Sequence, residues 1–129
     1  MASSSIRHVT IDCADTYKLG SFWASVLGHP LAEDDNPGDP EALLRLPEGP
    51  DLLFIAVDDA RSVKNRLHFD IAPDTSRDEE VERLIALGAT VHEDHRRPDG
   101  PGWVTMKDIE GNEFCVERSQ AERDAAPAS

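Results

Sequence analysis

His8 and His68 stand 60 residues apart in similar settings, His8-Val-Thr-Ile and His68-Phe-Asp-Ile. Imidazole can ligate a metal, carry a proton or hydrogen-bond a bound molecule. Asp70 follows His68 by two positions, so in an extended strand both point to one face. Glu113, Cys115 and Glu117 alternate in the same way along a later run. A carboxylate there acts as a general base if its surroundings desolvate it; a solvated glutamate at a strand end is the plainer reading. The Cys115 thiol is a nucleophile if a nearby histidine lowers its pKa, and otherwise a small, partly buried side chain. Two histidines with a thiol or a carboxylate also make a donor set for zinc or iron. Without a metal, the same groups hydrogen-bond to one another, to Asp70 or to a ligand. Trp103 either stacks on a planar ligand or packs at a rim. Arg96 and Arg97 can clamp an anion, or stay solvated on their loop. The candidate bases are therefore Glu113 and Glu117. The candidate ligand contacts are His8, Thr10, His68, Asp70, Trp103 and Cys115, and the candidate metal ligands are His8 and His68.

The elements that must position these groups follow from spacing. Ile6 to Cys13 alternates and is β-branched, which predicts a strand with Val9, Ile11 and Cys13 on one face and His8, Thr10 and Asp12 on the other. Asp15 or Thr16 caps a helix carrying Leu19, Phe22, Trp23, Val26 and Leu27 at helical spacing, ended by Gly28. Phe22 and Trp23 read as core. A weak strand is expected near Leu31, a loop over Asp34 to Pro40, then strands at Ala42–Leu46 and Leu52–Val57. After a polar linker, 58–65, the order repeats. Arg66–Ala72 is a strand, Thr75 or Ser76 caps a helix with Val81, Leu84, Ile85 and Leu87 as its apolar face, and Gly88 ends it. Strands follow at Thr90–Glu93, Trp103–Lys107 and Glu113–Arg118, the last two joined by the turn Asp108 to Asn112. Residues 1–5 and 119–129 read as disordered tails.

The repeat carries the fold prediction. Gly28 and Gly88 are 60 residues apart, as are Phe54 and Phe114. Two copies of a strand–helix–three-strand unit, 6–57 and 66–118, imply one α+β domain with pseudo-twofold symmetry. Each sheet buries one face under its helix. The other faces, set side by side, form a cupped mixed sheet around a cleft, with the helices outside. Strand alternation alone sends Val9, Ile11, Phe69, Ile71, Phe114 and Val116 toward the helices. It sends the candidate site residues toward the cleft.

The bulk numbers exclude some partners. The net charge of −13 argues against nucleic acid and against anionic membrane surfaces. No apolar run approaches the roughly 20 residues of a membrane span, and the first residues lack a secretory pattern, so the expected compartment is the cytoplasm. Cys13 and Cys115 are too few for a disulfide framework and read as free thiols. A domain of 129 residues has a modest core, for which homodimerisation is a natural supplement.

The chain resembles the vicinal-oxygen-chelate superfamily, which includes glyoxalase I, extradiol dioxygenases and bleomycin-resistance proteins. The residues that carry the resemblance are Arg7-His-Val-Thr-Ile-Asp, Phe22-Trp-Ala-Ser-Val-Leu-Gly, Lys64-Asn-Arg-Leu-His-Phe-Asp-Ile, Leu87-Gly-Ala and Trp103-Val-Thr-Met-Lys-Asp-Ile-Glu-Gly-Asn-Glu-Phe-Cys-Val. Ile109 departs from the pattern, where the turn usually carries proline. The resemblance and the repeat together place the family's metal-ligand positions at His8, Ile55, His68 and Cys115. Ile55 has no donor atom, and Cys115 replaces a carboxylate. Ile55 thereby joins the expected cleft lining. The resemblance implies a homodimer that binds a small organic ligand, with lyase, isomerase or dioxygenase chemistry on a divalent ion (Zn, Fe, Mn or Ni) in members that react. Glyoxalase I activity is not expected, since both family carboxylates are missing. The alternative is a metal-free binder that sequesters a drug or metabolite, for which an acidic protein suits a cationic ligand.

Overall fold

A computed structural model describes residues 3–58 and 67–125. Residues 59–65 of the expected linker, and Arg66 of the expected strand, lie outside the described residues. The chain forms two compact units, 1–62 and 63–129. Each holds one sheet with one covering helix, and the strand–helix–strands order recurs, with three strands in the first unit and four in the second.

The first module runs β1 (His8–Cys13), α1 (Thr16–Leu27), β2 (Glu41–Leu44) and β3 (Asp51–Ala56). The sheet order is β1-β3-β2, with β1 parallel to β3 and β2 antiparallel to it. The expected strand near Leu31 shrinks to a single bridge between Leu31 and Leu44. Asp15 caps α1 by accepting from the Lys18 N–H, and Gly28 closes it at φ 74°. Leu19, Phe22, Trp23 and Val26 are buried with Ala42, Leu44, Leu52 and Phe54. Phe22 and Trp23 meet edge to face, their ring centres 5.4 Å apart.

The second module runs β4 (Phe69–Ile71), α2 (Arg77–Leu87), β5 (Thr90–Asp94), β6 (Val104–Lys107), β7 (Glu113–Val116) and α3 (Gln120–Ala125). Its sheet order is β4-β7-β6-β5, with β4 parallel to β7 and the other pairs antiparallel. Val81 and Leu84 of α2 are buried with Val104, Met106, Phe114 and Val116. Ser76 caps α2, and Gly88 ends it in a left-handed conformation.

Two expectations for this module change. Ile85 and Leu87 are 43% and 37% exposed, so they are not part of the packed face of α2. The buried stripe is Arg77, Glu80, Val81 and Leu84, and Ile85 lies about 100° past Leu84 around the helix. Half of that stripe is charged, which hydrophobic patterning reads as solvent. The tail also differs: Gln120–Ala125 is helical, because buried Ser119 caps it and the Glu122 carboxylate accepts from the backbone N–H groups of Ser119 and Arg77. Among the described residues no helix is long and apolar enough to cross a membrane.

Candidate functional site

The open face of the second sheet is built by cross-strand rows. Phe69 pairs with Phe114, which pairs with Met106, and this row lies under α2. One position further along, Asp70 pairs with Cys115, Cys115 with Thr105, and Thr105 with Glu93. Alternation therefore puts an acid, a thiol, a hydroxyl and a second acid in one line across the open face. His68 precedes Asp70 by two residues and shares that face.

These groups converge. His68 Nε2 lies 3.1 Å from Asp70 Oδ1. One ligand atom from each of His68, Asp70 and Cys115 lies within 4.8 Å of the others. The Thr105 hydroxyl is 3.4 Å from the Cys115 sulfur. Burial pushes the Cys115 thiol up, the Thr105 hydrogen bond opposes that, and the Asp70 carboxylate adds to the rise. Cys115 thus keeps its proton at neutral pH, which weakens its reading as a nucleophile.

The flanking carboxylates are held differently. The Glu113 side chain is only 13% exposed, with His92 Nε2 at 3.9 Å. Glu117 accepts from Arg123 of α3, in an ion pair that the sequence reading did not foresee. Trp103 is 43% exposed and stacks on His95, ring centres 4.6 Å apart at 24°. His95 Nε2 lies 3.6 Å from Glu93. His68, Asp70, Cys115, Trp103, Glu113 and Glu117 all line one open concavity of about 1260 Å³. Thr105, Glu93, His95 and Arg97 line it too.

The wall that carries Trp103 rests on Arg77. This buried guanidinium donates to the carbonyls of Gly100, Pro101 and Gly102, and its Nε to Asp78. It ties loop 96–102 to the start of α2. Arg96, read from the sequence as either half of an anion clamp or a solvated loop residue, bridges Asp94 and Asp78. Arg97 lines the concavity and pairs with Asp99 at 3.5 Å. Sequence reading missed Arg77 because an arginine in a first helical turn carries no mark of burial. Thr105 was within reach of the alternation argument, being two residues from Trp103.

His8, Thr10 and Ile55 belong to the first module. His8 and Thr10 are exposed on β1, and Ile55 is half-buried on β3 opposite Asp12. The register refines one equivalence. A shift of 60 maps Thr10 onto Asp70, yet Thr10 pairs with Leu53 while Asp70 pairs with Cys115. Counted from the two histidines, the ladder counterpart of Cys115 is Leu53, at a shift of 62; counted along β3 and β7, with Phe54 matched to Phe114, it is Ile55. Neither side chain has a donor atom.

The family model of the glyoxalase-like domain matches residues 8–117. No curated protein matches the chain. Among solved structures, a glyoxalase/bleomycin resistance protein/dioxygenase family enzyme from Burkholderia phytofirmans is similar with a TM-score of 0.68 and 20% identity, covering 88% of this chain and 97% of that one. The fosfomycin resistance protein FosX from Listeria monocytogenes, solved with Mn(II) and a dihydroxypropylphosphonic acid, gives 0.69 at 17% identity, covering 97% and 100%. Lactoylglutathione lyase from Agrobacterium tumefaciens gives 0.61 at 20% identity, covering 93% and 96%. At these identities the likeness is one of fold.

Proposed function

Because the chain belongs to the glyoxalase-like domain family of the vicinal-oxygen-chelate superfamily, we propose that it binds a small organic ligand against the open face of its second module. The observation that supports this most is the Trp103–His95 stack beside the His68–Asp70 pair. An exposed indole offers apolar area to a flat group. The acids and imidazoles next to it offer hydrogen bonds to a polar or cationic one. Three arginines also line the concavity, one of them paired with Glu117; Glu93 and Glu113, whose neighbours are imidazoles, are the acids that suit a ligand bearing a basic group.

If the bound molecule reacts, Glu113 is the better placed base. Its carboxylate is largely withdrawn from solvent beside His92, whereas Glu117 is engaged by Arg123. Lyase-type chemistry is the catalytic form of the proposal, as the name of one neighbour, the lactoylglutathione lyase, suggests. Metal-free sequestration is its alternative.

Trp23 is buried and Trp103 is exposed, so ligand-induced quenching reports on Trp103. A panel of cationic aromatic antibiotics and amine metabolites is expected to contain members that quench the emission saturably and raise the Tm. Trp103→Phe removes the quenching, and His68→Ala weakens the binding. If no compound binds saturably, or if binding is untouched by both variants, the proposal fails.

A further inference from the structure

We infer that the second module by itself forms a site for one divalent cation of the zinc class, ligated by His68, Asp70 and Cys115. The resemblance draws ligands from both modules, at His8, Ile55, His68 and Cys115. The first module offers only carbon at the counterpart of Cys115, whether that is Ile55 or Leu53. The second module already brings a nitrogen, an oxygen and a sulfur within 4.8 Å of one another. Zinc bonds to such atoms at about 2.0–2.3 Å, which puts neighbouring ligands of a tetrahedral ion roughly 3.3–3.8 Å apart. His68 Nε2 and Asp70 Oδ1 are already 3.1 Å apart. Closure therefore asks only for small side-chain rotations, and the His68 and Asp70 side chains are half exposed and free to make them.

The backbone fixes the rest of the geometry. Asp70 is the middle residue of β4, His68 stands two residues before it and one before the strand begins, and the parallel ladder sets Cys115 directly beside Asp70. A carboxylate next to a thiol disfavours the thiolate. A cation between them reverses that preference and satisfies both. The mixed donor set, with sulfur, suits zinc-class ions over magnesium or calcium. Asp70 supplies the carboxylate that position 115 lacks. A fourth coordination position stays open toward the concavity, as in catalytic zinc sites. The inference stands whether or not an organic ligand binds.

The test uses the untagged full-length protein, loaded with Zn²⁺ and passed through gel filtration, with metal measured by mass spectrometry. About one zinc per chain is expected. Replacement by Co²⁺ is expected to give a thiolate-to-cobalt charge-transfer band. Asp70→Asn and His68→Gln each weaken the affinity by about tenfold or more, and Cys115→Ser abolishes the band. His8→Ala leaves both stoichiometry and band unchanged. Circular dichroism establishes that each variant is folded, and Asp70→Ser serves if Asp70→Asn is not. The inference is overturned if folded wild-type protein retains no zinc. It is equally overturned if folded Asp70 variants bind as tightly as wild type, or if His8→Ala loses the metal.

Discussion

Gly102 is the residue on which the indole wall turns. Its φ is 104°, and a Cβ there would stand 2.0 Å from the carbonyl oxygen of His95. Backbone cannot yield as a flexible side chain does. Gly102→Ala should cost about 1–3 kcal/mol for the left-handed conformation alone, with more from the clash. It should also separate the rings of His95 and Trp103, visible as a changed Trp103 emission and a lower Tm. Arg96 gives a second prediction at this scale. Its side chain first, and then its backbone N–H, hold the Asp94 carboxyl down at about 2. Arg77 first, with Arg96 further down, lowers Asp78. A carboxyl depressed in the folded state contributes stability that is full above its ordinary value, near 3.8, and lost as pH falls through the depressed one. Arg96→Met should therefore show a modest Tm deficit that is constant above about pH 5 and fades toward about pH 2. A deficit that persists undiminished in acid would contradict this account.

Helix α3 is short and has no buried residue of its own, so it is held by its first turn. Burial alone would push the Glu122 carboxyl up, but the N–H groups of Ser119 and Arg77 outweigh it and hold the group below the usual range. Glu122→Ala should cost about 1 kcal/mol as a lost cap. It should also raise hydrogen exchange in loop 96–102, because Arg77 is the shared anchor of both segments. Protection in that loop left unchanged would separate the two. Elements of this kind mark the limit of what was legible in the sequence. β1, α1 and α2 were readable because alternation, caps and the two glycines are local signals. His68, Asp70 and Cys115 were placed on the open face by alternation alone. The Arg77 staple, the Arg123–Glu117 pair and the burial of Glu80 were not readable, since each depends on contacts that only folding creates. β4 is shorter than expected, because the ladder with β7 pairs only Phe69 to Ile71. The two-residue difference between the β1–β3 and β4–β7 registers was not legible either, since counting along a repeat cannot see strand register.

At the scale of the whole molecule, charge dominates. The chain carries 26 acidic residues against 13 basic ones, and like charges in a compact state repel. Raising the ionic strength from about 0.01 M to about 0.15 M shortens the screening length from about 30 Å to about 8 Å. The Tm should therefore rise with added sodium chloride. A fall would mean that ion pairs such as Arg96–Asp94 outweigh the general repulsion. The shifted ladder has a further consequence for the molecule as a duplicated object. The first module is a scaffold of the same design in which Thr10 and Leu53 face each other beside His8, as Asp70 and Cys115 do beside His68. Thr10→Asp with Leu53→Cys would transplant the donor set into the spare copy. The bound zinc should then rise from one to two per chain, which makes the internal repeat a template for installing a second centre.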